Sequence, residues 1–327
     1  MKKIVILHSD ISPHASEDEL DCIKQADTIA QAVRQLGHEP LLVPFCLDLG
    51  QTIKTLHSIS PEVVFNIVES LAAKGSLIHF APAILDYLQI PYTGARTEAI
   101  FLTSCKPLAK KILQAAGIPT PAWITEDVIS TGSALTDKYI VKSAWEHASI
   151  GLDYDSIIST TDKNALLKEM NYRKKNLGGS CYAETYIDGR EFSIALIANK
   201  SGVTVLPVAE MLFVGYSLEK PKIVDYRAKW LANSFEYNNT ITKFDFPEND
   251  DTLISVLCEI AVHCWNLFGL RGYARVDFRV DNNGKPWVLE INANPCLSLD
   301  AGFAAALEKA PLKYHEAIEL IINDALN

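Results

Sequence analysis

The stretch YARVDFRVDNNGKPWVLEINANP, Tyr273 to Pro295, alternates apolar and polar residues on both sides of an Asn-Gly pair, and its reading decides the fold. Asn283-Gly284 favours a two-residue hairpin turn, because both central positions of that turn need positive φ. With residue 282 facing 285, Asp277 lies opposite Glu290 and Arg275 opposite Asn292, and strand alternation puts all four side chains on one sheet face. Opposed carboxylates repel by on the order of 0.2–1 kcal/mol. A hard cation between them resolves the conflict, and oxygen ligands from Asp277, Glu290 and Asn292 suit Mg²⁺. The set has no His or Cys, so zinc is a poor fit. The same pattern also describes a solvated polar sheet face on which Glu290 pairs with Arg275.

Magnesium held by two or three protein oxygens completes its shell from phosphates and water, which directs attention to lysines able to reach a nucleoside triphosphate. Lys142 ends the apolar strand YIVK and leads into SAWEHASIG, whose Ser149 and Gly151 can fold over phosphates with backbone N–H groups. Lys106 opens a helix, Lys229 sits in VDYRAKW, and Arg275 shares the metal face. A single lysine is more often an exposed solubilising residue, so the order of these cations along the chain carries the weight. In AETYIDGREF, Glu184 and Glu191 are either charges on a strand edge or acceptors for an adenine amine and ribose hydroxyls.

The rest of the 327-residue chain is consistent with an enzyme of two or three globular units, 48% hydrophobic and 21% charged. A net charge of -10 argues against a nucleic-acid surface, which needs clustered Lys and Arg, and the run YRKKN reads as a solvated helix face. The opening MKKIVILHSD has too short an apolar run for a signal peptide or membrane span and reads as a first β-strand. Seven cysteines without CxxC or Cys/His ligand spacing fit reduced thiols, which places the protein in the cytoplasm.

After the first strand, Ser16 and Glu19 form a capping box ahead of an amphipathic helix ending at Gly37. PLLVPF and EVVFNIV supply two more strands, followed by a helical pattern from Ser76 to Gln89, so the first hundred residues read as βα repeats around a parallel sheet. The turn HSDIS lacks the glycines of a dinucleotide site, and no GxxxxGK[ST] phosphate loop occurs anywhere. From about Thr103 the composition shifts: the helix CKPLAKKILQAAG, a strand running into a loop at KYIVKSAWEHASIGLD, and the helix NALLKEMNYRKKN. Beyond these come a hairpin around NKSG, a helix from about Thr252 to Phe268, and a last helix begun by Pro311.

Six stretches then carry a resemblance: IPYTGARTEAIFLTSCKPLAKKILQAAGIPTP, YIVKSAWEHASIGL, AETYIDGREFSIALI, VLPVAE, VDYRAKW and ARVDFRVDNNGKPWVLEINANP. In order and spacing they resemble the ATP-grasp superfamily and, within it, D-alanine:D-alanine ligases over nearly the whole chain. The resemblance implies an α/β chain of the ATP-grasp fold, a doubly wound N-terminal domain followed by a two-part α+β nucleotide-binding domain, with boundaries at 1–102, 103–187 and 188–327. It implies that Lys106 and Lys142 contact ATP phosphates under a mobile loop around Ser149 to Gly151. Glu184 and the backbone near Ile187 hold adenine, and Glu191 the ribose. Asp277, Glu290 and Asn292 bind two Mg²⁺ ions, with Mn²⁺ as a substitute, and Lys229 on a lid reaches the γ-phosphate. Arg275, with the backbone N–H near Cys296, stabilises the oxyanion of a tetrahedral intermediate. Cys296 itself is expected to be a packing residue. A homodimer through the first domain is also implied.

The substrate end departs from that family. His147 and Ala148 stand where its members carry glycine and serine, Trp230 follows the lid lysine in place of tyrosine, and Ala301-Gly302 replaces a serine-leucine pair. The glutamate that receives a substrate amine has no clear equivalent in SPHASEDELD. Losing hydroxyls changes the hydrogen-bond demands of a buried site, so the expected function is an ATP-dependent carboxylate-amine ligase, ADP- and phosphate-forming, for small-molecule carboxylate and amine substrates with a different acceptor. A nucleotide-binding protein without turnover and an authentic D-alanine:D-alanine ligase are the alternatives.

Overall fold

The computed structural model describes residues 1–11, 15–127 and 137–327; residues 12–14, part of the SPHASEDELD segment, lie outside the described residues. The first part of the chain runs β1 (Lys3–Ser9), α1 (Glu17–Gln35), β2 (Glu39–Phe45), α2 (Leu49–Ile59), β3 (Val63–Ile67) and α3 (Phe80–Leu88). The strands form a parallel sheet in the order β2-β1-β3. Ile4 to Leu7 are wholly buried, as a parallel strand covered on both faces requires. Val5 and Leu7 pack with Leu56 of α2 and Leu85 of α3. Ser16 caps α1 as expected, its N–H donating to Glu19 Oε2 at 2.9 Å. The helix expected from Ser76 is shorter: a 3-10 turn covers Gly75–Leu77 and α3 starts at Phe80, which leaves Pro82 in the first turn, where its missing N–H costs nothing.

Two helices, α4 (Thr97–Ser104) and α5 (Lys106–Ala115), lead to an antiparallel sheet of order β4-β7-β5-β6, built from β4 (Trp123–Ile124), β5 (Lys138–Ser143), β6 (Ile157–Ser159) and β7 (Cys181–Thr185), with α6 (Lys163–Lys174) packed on it. The third sheet has the order β11-β10-β8-β12-β13, with β9 paired to the end of β8 beyond β10. Its elements are β8 (Gly189–Asn199), β9 (Gly202–Val205), β10 (Ala209–Phe213), α7 (Tyr226–Trp230), α8 (Phe235–Asn239), β11 (Thr240–Lys243), α9 (Asp251–Leu267), β12 (Tyr273–Asp281) and β13 (Pro286–Asn292), followed by α10 (Gly302–Lys309) and α11 (Tyr314–Leu326). One apolar core joins α4, α5 and α9 to this sheet through Ile100, Leu113, Trp265, Phe192, Val276 and Ile291.

The hairpin that decided the sequence reading keeps its expected register at Asp277 and Arg275 and loses it at the turn. Asp277 faces Glu290 and Arg275 faces Asn292, but nearer the turn Phe278 faces Val288 and Val280 faces Pro286. The turn is one residue longer than expected: Asp281 N–H donates to Lys285 O and Gly284, at φ +77°, donates to Asp281 O. Asp281 organises it, its Oδ1 accepting from Asn283 and Lys285 N–H and its Oδ2 from Trp287 Nε1. A bulge at Leu289 absorbs the extra residue, so the two offsets cancel at Glu290.

The last helix also corrects the sequence reading. It begins at Tyr314, not at Pro311, because Glu316 reaches back to accept from Lys313 N–H. α11 lies against the first sheet, where Ile318, Ile321 and Ile322 share a core with Ile4, Ile6, Phe65 and Ile29 of α1. The two ends of the chain are thereby joined. Among the described residues no helix is long and apolar enough to cross a membrane.

Candidate active site

A cavity of about 720 Å³ opens between the second and third sheets and reaches α1, and it is lined by Lys106, Lys142, Ser149, Glu184, Ile187, Glu191, Lys229, Arg275, Asp277, Glu290 and Asn292. Of the site residues expected from sequence, only Gly151 is absent from the lining, and it sits between Ile150 and Leu152, which do line it.

On the hairpin face, Arg275 pairs with Asp277, not with Glu290: Nε and Nη2 donate to the two carboxylate oxygens at 2.9 and 2.8 Å. Asp277 Oδ1 also accepts from Ser193 Oγ at 2.7 Å, across from β8. Glu290 Oε1 lies 3.0 Å from His147 Nδ1 and 3.5 Å from Lys106 Nζ. Asn292 Oδ1 accepts from Asn294 N–H. Burial disfavours charge on Glu290, yet Lys106, His147 and Lys229 outweigh it and hold the carboxyl well below the usual range. Burial likewise works against Arg275, and Asp277 overcomes it, so the guanidinium stays protonated. Two carboxylates and an amide oxygen on one strand pair are hard donors of the kind Mg²⁺ takes, and the site fits that ion.

The opposite wall is made of ion pairs. Glu184, 1% exposed on β7, sits between Lys110 and Lys142, each 2.5 Å away. Burial tends to raise its carboxyl, but the two ammonium groups draw it below its ordinary value, while burial lowers Lys110 despite the pairing. Both oxygens of Glu184 therefore act as counter-ions in this state. Lys110, one turn along α5 from Lys106, was not singled out in the sequence; the i, i+4 spacing was the available signal. Glu191 pairs with Arg279 at 2.8 Å, and Arg279 also donates to the carbonyls of Gly189 and Lys222. Lys106 Nζ donates to Glu146 O at 2.7 Å, which ties α5 to the loop after β5.

That loop turns on Ser143, whose Oγ accepts from the N–H groups of Trp145 and Glu146. Ala148 and Ser149 are held at φ +57° and +59°, a region costly for residues with a Cβ. Gly151 at φ +69° could carry no side chain at all, because a Cβ would lie 2.7 Å from Asn176 O. The lid helix α7, capped by Asp225, closes onto this loop. Trp230 Nε1 donates to Ala148 O at 3.1 Å, Ser149 Oγ to Val224 O at 2.8 Å, and Tyr226 N–H to Leu152 O at 3.2 Å. Behind it, Glu236 braces the lid by pairing with Lys220 and Arg227, which take its carboxyl down to about 2 against the opposing effect of burial. Lys229 projects from this lid into the cavity without a hydrogen-bond or ion-pair partner among the described residues. Burial, then Arg275, lowers its pKa.

The far end is lined by Glu17, Asp21, Lys24, Glu69, Asp300, Ala301 and Gly302. Cys296 Sγ donates to Asp21 Oδ2 at 3.0 Å, and burial pushes this thiol well above its ordinary pKa. Sequence reasoning missed Asp21, although Glu17, Asp21 and Lys24 form a polar stripe at helical spacing on α1.

A family model described as D-ala D-ala ligase C-terminus matches residues 112–323. The chain belongs to that family. Its members include full-length relatives: the D-alanine--D-alanine ligase of Aquifex aeolicus is 28% identical over 326 residues, 98% of this chain and 99% of that one. An uncharacterized protein, y4sG, of Sinorhizobium fredii is 30% identical over 309 residues, covering 92% of this chain and 87% of the other. The family's fold is seen in two solved structures. The D-alanine--D-Alanine Ligase from Bacillus anthracis complexed with ATP gives a TM-score of 0.72 at 19% identity, covering 100% of this chain and 98% of that one. The VanG D-Ala:D-Ser Ligase from Enterococcus faecalis also gives 0.72, at 17% identity and 99% coverage of both chains. These likenesses establish the ATP-grasp fold.

Proposed function

We propose that this member of the family is an ATP-dependent ligase that joins a small-molecule carboxylate to an amine through an acyl phosphate. The observation that carries the reading is the convergence, in one cavity, of the opposed pair Asp277 and Glu290 with Asn292, Lys106, Lys142, Lys229 and Arg275. A membrane-independent, cytoplasmic enzyme belongs to the same reading, as does a homodimer.

Asp277, Glu290 and Asn292 would hold two Mg²⁺ ions, with Mn²⁺ able to substitute; bound there, the metal neutralises phosphate charge. Lys106 and Lys142 bind the polyphosphate, and the lysines release their carboxylate partners as phosphate oxygens take over. The backbone of Ile187, the carboxylate of Glu191 and a Glu184 freed from Lys142 receive the adenosine. Lys229, unpaired on the lid, reaches the terminal phosphate. Substrate carboxylate attacks that phosphorus, and the amine then attacks the carbonyl carbon of the acyl phosphate. Arg275 stabilises the oxyanion, an interaction gained as charge develops. The latch from Trp230 and Ser149 to the phosphate loop excludes water that would hydrolyse the acyl phosphate. No covalent enzyme intermediate is required.

Titration of MgATP into the protein by calorimetry, followed by phosphate release across paired panels of carboxylates and amines, tests the proposal. Nucleotide binding with release stimulated by one pair is the expected result. Failure of MgATP to bind removes the basis of the reading. Binding without release from any pair leaves only a nucleotide-binding protein, and release with D-alanine alone returns the chain to the activity named for its Aquifex relative.

A further inference from the structure

The second sheet turns unlike faces to its two sides. From β5 and β7, Val141, Cys181 and Ala183 pack with Leu166 and Met170 of α6. Strand alternation gives the opposite face Lys142, Tyr182 and Glu184, with Lys142 directly across from Tyr182 in the register, and all three line the cavity. Lys142 and Glu184 meet as an ion pair at 2.5 Å. Tyr182 has no such match: it is 0% exposed, and among the described residues its hydroxyl has no hydrogen-bond partner.

A buried hydroxyl without an acceptor is unfavourable until one reaches it. Two other buried atoms on the wall of this cavity also lack a hydrogen bond among the described residues, Glu184 Oε2 and His147 Nε2, and neither is a donor. Glu184 Oε2 faces the ammonium of Lys110 at 2.5 Å. The ionised carboxylate of Glu290 can only accept, so His147 carries its proton on Nδ1, and Nε2 of the neutral ring is itself an acceptor. Tyr182 thus holds the one unused proton of the three. Burial, reinforced by Glu184 and Glu290, raises the phenol well above its ordinary pKa, so that proton stays in place. A neutral phenol held in this way does not suit a cation; it suits the oxygen of an anion.

We infer that Tyr182 is a further nucleotide-binding residue, its O–H donating to a polyphosphate oxygen held by the neighbouring Lys142. The inference rests on the nucleotide half of the ligase reading and adds a contact to it. In the unliganded protein Lys142 is fixed to Glu184, and the hydroxyl is shut away from water. When phosphate draws Lys142 from Glu184, the oxygen that accompanies the ammonium arrives at the strand position opposite Tyr182. Because that oxygen is charged, the bond is stronger than one between neutral groups. It exists only with polyphosphate in place, so the hydroxyl counts against the empty protein and in favour of the loaded one.

The test compares the wild type with Tyr182→Phe, which removes one oxygen and keeps the ring. Both proteins are titrated with MgATP and with adenosine by calorimetry, and their melting temperatures are measured without ligand. The variant is expected to bind MgATP at least about 5-fold more weakly, about 1 kcal/mol, with adenosine affinity held within about 2-fold. Without nucleotide its melting temperature should equal or exceed that of the wild type, because a buried unpaired hydroxyl has been removed. A hydroxyl with a purely structural role cannot give that combination. A loss of MgATP affinity smaller than about 5-fold overturns the inference. So does a loss of more than about 2-fold for adenosine, or a lowered melting temperature of the unliganded variant, since these assign the oxygen to the base or to packing. Failure of the wild-type protein to bind MgATP counts instead against the ligase reading, and the two failures are thus distinct.

Discussion

At the nucleotide end of the cavity nearly every cation faces a carboxylate: Lys142 and Lys110 meet Glu184, Arg279 meets Glu191, Arg275 meets Asp277 and Lys106 meets Glu290. At the far end Asp21 leans on a thiol and a hydroxyl, and Asp300 and Glu17 are exposed. The first arrangement holds long basic side chains in place before any phosphate arrives, so that exchange of partners replaces the ordering of free chains. The second leaves Glu17 and Asp300 to solvent. Lys229 is the exception at the basic end, and it rides on α7.

Substitutions at each end should therefore have separable consequences. The largest is expected for Arg275→Met: a fall in kcat of about 10²–10³, with MgATP affinity within about 3-fold of wild type, because the guanidinium acts on the charge that develops in the transition state. Equal losses in turnover and nucleotide affinity would merge the two ends into one. Lys229→Met should cost roughly 10- to 100-fold in kcat and abolish a proton signal. In the wild type the lowered pKa leaves part of the lysine neutral at alkaline pH, and a bound phosphate favours the ammonium. MgATP binding should then take up protons at alkaline pH, seen as a dependence of the calorimetric heat on buffer ionisation. No uptake, or uptake that persists in the variant, would place the lysine outside the phosphate's reach. The smallest effect is expected for Trp230→Phe, which keeps an aromatic ring and loses the bond to Ala148 O, worth about 1 kcal/mol. Phosphate release without acceptor should rise several-fold relative to coupled release, while nucleotide affinity holds.

Local patterns in the sequence located the face that carries Asp277 and Glu290, and nonlocal partners were hidden from it. Strand alternation and a turn placed Asp277 opposite Glu290, although the turn was read one residue short and a bulge at Leu289 made up the difference. Alternation is a property of neighbours along the chain, so it survives such an error. Ion pairing is not: the choice of Arg275 for Asp277 over Glu290 depends on Lys106 and His147 arriving from elsewhere to occupy Glu290. Glu184 is similar, since nothing near it in sequence announces that Lys110 and Lys142 converge on it. The far end of the cavity was the least legible part, because it assembles from α1, the loop after β3 and the segment before α10.

The seat of α11 against the first sheet has a bearing on biosynthesis. β1 and β3 leave the ribosome early, but the helix that seals one of their faces comes from residues 314–326. At about 5–20 residues per second, Ile4, Ile6 and Phe65 remain without that cover for on the order of tens of seconds. During this interval the nascent chain presents an apolar surface that a chaperone can hold, and maturation of β1 and β3 is timed by the arrival of α11.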